Sequence, residues 1–367
     1  MAEGRMAQRT AIGLMSGTSM DGIDAAILTS DGQGLVQQGA ALSTSYDDGL
    51  RADLRSVLGR QADDAGVAAV AEQITRAHAE IVIKLLNENN ITYSKIDVIG
   101  FHGHTISHQP EDRKTCQIGD GGLLAALTGI DVVDDFRSWD VAAGGQGAPF
   151  APLYHQALAA SLAKPLAVLN IGGVANVTWI GDDEQMLAFD TGPGNALIDD
   201  WVHHNGGGNM DLDGKLAGAG AVDQSALAAL LEHNYFDQTP PKSLDREDFS
   251  IPKFSRQSAA WSREDGAATL TAFTAQSVAR ARDHLPTAPR QWLVCGGGRR
   301  NPTLMAALGD CLCVPVAPVE KVGWRGDFLE AEAFAYLAIR HLDGLPLSLP
   351  GTTGVPHPMT GGRLNLA

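Results

Sequence analysis

Three apolar runs in this chain end in glycine-bearing turns, and no other feature limits the possible folds so strongly. After Arg9 the sequence reads Thr-Ala-Ile-Gly-Leu-Met-Ser-Gly-Thr-Ser-Met-Asp-Gly-Ile-Asp-Ala-Ala-Ile-Leu. Residues 11–15 and 23–29 read as strands flanking a polar turn. The second run, 167–170, is followed by Gly172-Gly173 and a further strand over 174–180. The third, 292–294, stops at Gly296-Gly297-Gly298, and Asn301-Pro302 then opens a helix with Asn as cap and Pro at its first position. Such turns let backbone bend sharply or approach a ligand. Glycine is accordingly abundant, 42 of 367 residues, against about 7% on average.

Between these runs lie helical patterns. Residues 48–59 and 64–87 read as helices, the second with Val67, Val70, Ile74, Ala77, Ile81 and Leu85 at helical spacing. Short strands follow at 98–101, 116–118 and 132–133. Further helices fit 151–162, 223–233, 267–284 and 328–341. Strands alternate with helices throughout, so the predicted class is α/β. Each half opens with a strand pair around a small polar turn, a hint of internal duplication. The length suits two domains. We place them at 1–137 and 138–367, with the last helix crossing back to the first.

Composition removes several function classes. With 27 Lys+Arg against 43 Asp+Glu the net charge is −16, the wrong sign for a nucleic-acid binder. No apolar run reaches the roughly 18 residues of a membrane span, and none of signal-peptide type follows the first arginines. The four cysteines, Cys116, Cys295, Cys311 and Cys313, show neither zinc spacing nor a disulfide framework. A cytoplasmic location is expected.

Chemistry concentrates at the turns. Ser16-Gly-Thr-Ser-Met-Asp-Gly-Ile-Asp24 offers backbone N–H groups, small residues and hydroxyls, the requirements of a phosphate cradle. Gly17, Thr18, Ser19, Met20, Asp21, Gly22, Ile23 and Asp24 are its candidate residues, and Asp21 and Asp24 suit a metal held through water. The segment is not a Walker A loop, and an ordinary hairpin turn explains it equally well. Asn170, Gly172, Gly173 and Asn176 have the same character, and Gly296, Gly297 and Gly298 sit where an open α/β sheet holds a nucleotide.

Asp190, in Phe189-Asp-Thr-Gly-Pro-Gly-Asn195, follows an apolar strand at 186–189 and can serve as a general base or merely cap its own turn. Asp-Thr-Gly is also the aspartic-protease motif, but no second copy in a strand context completes a dyad. Asn209-Met-Asp-Leu-Asp-Gly214 imitates a calcium loop without the required Glu at its twelfth position. His102, His104 and His108 lack a further ligand at zinc spacing, which leaves substrate contact or a core role. Arg137 carries a donor fork suited to carboxylate or phosphate, with Asp134, Asp135 and Asp140 as competing ion-pair partners. Glu330 and Glu332 open the last helix, where a carboxylate can simply complement the dipole.

Taken together these segments resemble the anhydro-N-acetylmuramic acid kinase family. The resemblance runs through Gly13-Leu-Met-Ser-Gly-Thr-Ser-Met-Asp-Gly-Ile-Asp24, Val133-Asp-Asp-Phe-Arg137, Ala142-Ala-Gly-Gly-Gln-Gly-Ala-Pro149, Asn170-Ile-Gly-Gly-Val-Ala-Asn176, Phe189 to Asn195, Pro240-Pro-Lys-Ser243 and Gly326-Asp-Phe-Leu-Glu-Ala331. It implies the two-domain fold shared by sugar kinases, actin and heat-shock chaperone ATPases, with ATP in an interdomain cleft. ATP would lie on Gly17 to Asp24 and adenosine near Gly296 to Gly298, with Mg²⁺ as the expected companion. The implied reaction opens 1,6-anhydro-N-acetylmuramic acid with water and phosphorylates the released 6-oxygen, in cell-wall recycling. Asp190 then resembles the base that activates the water, and His102, Thr105, Arg137 and Glu330 resemble sugar-site residues. A homodimer is the family's habit. The chain departs from the family at His104, where Gln is usual, and at Leu244-Asp245, where Thr-Gly is usual. A same-fold kinase acting on another hydroxyl, or a nucleotide-driven binding module, are the alternatives.

Overall fold

The computed structural model describes residues 7–17, 20–245, 248–254, 258 and 260–367. The chain forms two units, one joining Met1–Ser161 to Phe328–Ala367 and the other made of Leu162–Asp327. In the first, β1 (Arg9–Ser16), β2 (Gly22–Ser30) and β3 (Val36–Ser45) make an antiparallel meander. β4 (Val98–Gln109) lies parallel to β1, and β6 (Val132–Asp134) parallel to β4. β5 (Lys114–Ile118) pairs antiparallel with β4, and β12 (Arg363–Asn365) antiparallel with β6.

In the second unit β7 (Leu166–Ile171), β8 (Val174–Ile180) and β9 (Met186–Pro193) form the meander. β10 (Trp292–Cys295) runs parallel to β7 and β11 (Val316–Pro318) parallel to β10. The orders β3-β2-β1-β4-β6 and β9-β8-β7-β10-β11 match strand for strand and sense for sense. The duplication hinted at by the two glycine turns is therefore real at the level of topology. The chain is α/β, with a sheet of the same strand order in each unit.

The first unit carries α1 (Asp48–Val57), α2 (Val67–Glu88), α3 (Gly121–Thr128), α4 (Ser138–Ala142) and α5 (Pro152–Leu158), together with α11 (Leu329–Leu342) and α12 (Pro350–Thr353). The second carries α6 (Ala196–His204), α7 (Lys215–Ala219), α8 (Gln224–Leu231), α9 (Arg263–Ala281) and α10 (Pro302–Leu312). α2 buries Val67, Val70, Ile74, Ile81 and Leu85 against the first sheet, the face that its periodicity predicts. α10 begins at Asn301-Pro302 as expected, the Asn301 side chain accepting from Leu304 N–H. α9 starts at Arg263, four residues earlier than the apolar pattern suggests, because Ser262 caps it by accepting from Asp265 N–H.

α11 lies directly on β1 and β4. A Cβ at Gly13 would overlap the Ala331 carbonyl, and one at Gly100 the Phe334 carbonyl. Only hydrogen at both positions lets the helix approach so closely, and its first turn, with Glu330, is thereby pinned to the sheet. The sequence reading divides the chain at 137/138, whereas residues 138–161 lie with the first unit. Two long-range bonds show why. Tyr154 of α5 donates its hydroxyl to Glu332 of α11 at 2.7 Å, and Thr353 of α12 donates to Asp140 of α4 at 2.6 Å.

Candidate active site

The first loop is built from the end of β1. Gly17 C=O accepts from Met20 N–H at 3.0 Å, and Met20 takes a left-handed φ of 57°. Thr18 and Ser19 lie outside the described residues. Asp21 C=O accepts from Tyr46 N–H at 3.1 Å, and Arg51 donates to the Met20 and Tyr46 carbonyls, each at 3.2 Å. The turn is therefore clamped from α1. Gly22 sits where a Cβ would overlap the Thr44 carbonyl, and Ile23 is buried in the core. Asp24 accepts from the Ser43 hydroxyl. The clamp by Arg51 and Tyr46 escapes sequence reading, because both act on main-chain atoms.

Behind this loop the Tyr46 hydroxyl donates to Ser16 Oγ at 2.6 Å, and Ser16 lies 2.8 Å from His104 Nδ1. Burial raises the Tyr46 phenol, so it stays a donor. Ser16 then gives its own proton to His104 Nδ1, which places the imidazole proton on Nε2. Among the described residues that atom is buried without a partner. Burial pushes the His104 pKa down to about 4, so the ring is neutral.

The four expected sugar-site residues fall in the first unit. His102 and Thr105 lie on β4, Arg137 just after β6, and Glu330 in the first turn of α11. Arg137 Nε donates to His102 Nε2 at 3.0 Å, and His102 Nδ1 bonds Gly103 C=O at 3.0 Å. Burial first, then the adjacent guanidinium, hold the His102 pKa well below its usual value. Arg137 also donates to Gly147 C=O at 2.6 Å, with Phe150 and Phe334 rings at 5.3 and 5.9 Å. Of its expected competitors, Asp134 holds Arg363 at 2.8 Å and Asp140 accepts from Gly147 N–H at 2.7 Å. Thr105 Oγ1 accepts from Gln117 at 3.2 Å. A cavity of about 200 Å³ opens beside His102, lined also by Gly103, Thr115, Gln117, Asp134 and Ser138. The two carboxylates of α11 divide: Glu330 is exposed, whereas Glu332 is fully buried and accepts from Tyr154 and Gln38.

In the second unit Asn170, Asn176 and Asp190 stand in one row across β7, β8 and β9, and Cys295 of β10 extends it. The Gly172-Gly173 turn is stitched to the start of α6: Gly172 C=O accepts from Asn195 N–H at 2.8 Å, and Gly173 C=O from Gly194 N–H at 2.9 Å. Gly296 has φ 72° and lies against Asn170 and Ile171, where a Cβ would overlap both, while Gly298 packs on the Ile171 side chain. A Cβ at Gly297 meets nothing nearer than Asn195 at 3.6 Å, which leaves that face of the turn accessible.

Asp190 lies inside β9 and not after the strand, as the apolar run alone suggests. Its N–H donates to Lys242 C=O at 3.0 Å, and its carboxylate Oδ2 accepts from Leu244 N–H at 2.8 Å. The Leu244 bond is made by its main chain and does not depend on the identity of its side chain. The calcium-like loop resolves into capping, with Asp211 accepting from Leu216 and Ala217 N–H at 2.8 and 2.9 Å. Among the described residues no group of three or more His, Cys, Asp or Glu could hold a metal, all four cysteines are free, and no helix is long and apolar enough to cross a membrane.

The family model for anhydro-N-acetylmuramic acid kinase matches residues 9–366. A relative of that name from Rhodospirillum rubrum is 56% identical over 355 residues, covering 96% of this chain and 93% of that protein. Another from Paramagnetospirillum magneticum is 55% identical over 353 residues, covering 96% and 98%. Among solved structures, component A of the (R)-2-hydroxyglutaryl-CoA dehydratase of Acidaminococcus fermentans aligns with a TM-score of 0.48 at 13% identity, over 90% of this chain and 99% of that one.

Proposed function

The chain belongs to the anhydro-N-acetylmuramic acid kinase family, and from that premise we propose that Asp190 is the base that turns water on the anomeric carbon of the anhydro-sugar. The Asp190 carboxylate takes a proton from that water as its oxygen bonds to C1. The C1–O6 bond breaks, O6 bonds to the γ-phosphorus of ATP, and ADP departs. The product is N-acetylmuramic acid 6-phosphate. Capture of O6 by phosphorus removes the need for a strong separate acid, and a positioned carboxylate contributes roughly 10²–10⁴-fold. The observation that carries this reading is the hold on Asp190: Leu244 N–H fixes Oδ2 at 2.8 Å in a residue only 8% exposed.

The main-chain groups of Gly17 and Met20 to Asp24, with Thr18 and Ser19 between them, are proposed to cradle the phosphates. Asn170, Gly172, Gly173 and Asn176 form the second cradle, and Gly296 to Gly298 hold the adenosine. Asp21 and Asp24 are hard oxygen donors and fit Mg²⁺, which commonly takes one or two carboxylates beside substrate phosphates. When bound, Mg²⁺ neutralises charge on the transferring phosphoryl group. Arg137, held against His102 and Gly147, is proposed to meet the carboxylate that muramic acid carries. Thr105 and Glu330 supply further polar contacts to the sugar. A cytoplasmic location and a homodimer belong to the same proposal.

Asp190→Asn is the test. It should bind ATP normally and lose turnover by at least ~10²-fold. In oxygen-18 water the wild-type product should carry the label on its anomeric hydroxyl and not on the phosphate. Label-free product, or an active Asp190→Asn protein, refutes the assignment.

A further inference from the structure

We propose that Tyr235 and Lys242 are positioning residues that aim the Asp190 carboxylate, an inference that rests on Asp190 being the base. Three bonds form a closed circuit around that residue, and two more brace it. Tyr235 O–H donates to Asp190 C=O at 2.5 Å. Lys242 Nζ donates to Tyr235 C=O at 2.8 Å and to Phe236 C=O at 3.3 Å. Asp190 N–H returns to Lys242 C=O at 3.0 Å, and Leu244, two residues beyond, holds the carboxylate itself at 2.8 Å. Both peptide groups of Asp190 are thus gripped from outside the sheet, by the turn Asn234–Asp237 and by the segment that follows Pro241.

The sheet alone does not set this position. The β8–β9 register shifts between Ala175 and Asn176, beside the Asn176–Asp190 pair, so the ladder is broken where the base must be placed. A bulge of this kind re-aims a side chain, and the circuit supplies the restraint that the ladder lacks.

Lys242 is the less obvious member. The residue is 6% exposed, and among the described residues it has no carboxylate partner at ion-pair distance; its three donors serve two carbonyls, with the Tyr235 ring centroid 4.6 Å from Nζ. Burying an ammonium for that purpose is costly. Desolvation accordingly lowers its pKa to about 8, with Asp237 opposing and Arg280 assisting the shift. Burial first, then Asp190 and Asp248, raise the Tyr235 phenol, which therefore remains a donor at any working pH.

The experiment is steady-state kinetics on full-length Tyr235→Phe and Lys242→Gln beside Asp190→Asn. Misplacing a catalytic group by about 1 Å can cost ~10²-fold, so each positioning variant should lose kcat about tenfold or more. KM for ATP and for the anhydro-sugar should stay within about twofold, and the melting temperature near that of the wild type, a split that general loosening does not produce. Tyr235→Phe keeps the ring packing and decides the matter if Lys242→Gln does not fold. Unchanged kcat, or KM values that rise in step with the loss, overturn the inference while an inactive Asp190→Asn leaves the base assignment standing. An active Asp190→Asn protein overturns both.

Discussion

Mild acid should loosen the first unit, and His104 should account for a measurable share of the loss. His78 and His104 are both 0% exposed. His78 Nδ1 bonds Ile74 C=O at 2.7 Å, and among the described residues the Nε2 atoms of both rings are buried without partners. Each pKa falls from 6.5 to about 4, chiefly through burial. A group depressed in the folded state stabilises fully above the unfolded pKa, and that contribution drains away as pH falls from 6.5 toward 4. Near pH 5 the unfolded chain has taken up a proton that the folded ring refuses, a cost of ~2 kcal/mol per histidine relative to pH 7.5. His104→Gln removes the titration and keeps an acceptor for Ser16. Urea unfolding followed by circular dichroism, near pH 7.5 and near pH 5, gives the stability lost by each protein. The variant should lose ~2 kcal/mol less than the wild type, a difference well outside the scatter of such fits. Equal losses in the two proteins refute the buried neutral imidazole.

Other outcomes follow from the same geometry. Gly13→Ala places a methyl group on the Ala331 carbonyl; overpacking against main chain should cost about 3 kcal/mol or more, read as a lower urea midpoint. An unchanged midpoint would show that α11 can lift off the sheet at no cost. Arg137→Lys loses the fork that spans His102 and Gly147, so KM for the anhydro-sugar should rise about tenfold while KM for ATP holds. Equal shifts in both constants count against a sugar-side role.

What sequence reading could see was whatever glycine or period marks. The two meander turns, Gly296 with its left-handed φ and the buried face of α2 each have a local cause, and each stands where expected. β3 is not among the expected strands: Val-Gln-Gln-Gly-Ala-Ala-Leu-Ser-Thr-Ser brings only Ala40 and Leu42 onto the core and becomes a strand by pairing with β2. The place of residues 138–161 depends on Tyr154–Glu332 and Asp140–Thr353, pairs about two hundred residues apart that no local pattern reports. The Leu244 N–H donates to Asp190 and the Arg51 guanidinium to a main-chain carbonyl, and main-chain donors and acceptors leave no trace in residue identity. His104 was visible as an oddity, but its role needed the hydroxyls of Ser16 and Tyr46 beside it.

The chain leaves its first unit at Ser161 and regains it only at Phe328. During synthesis the ribosome therefore releases every strand of the opening sheet except β12 long before the helix that seals it exists. Gly13 and Gly100, bare of side chains, must wait in water while the contiguous unit between them and α11 is made. The later-born half can close its own core first, and the earlier-born half finishes last.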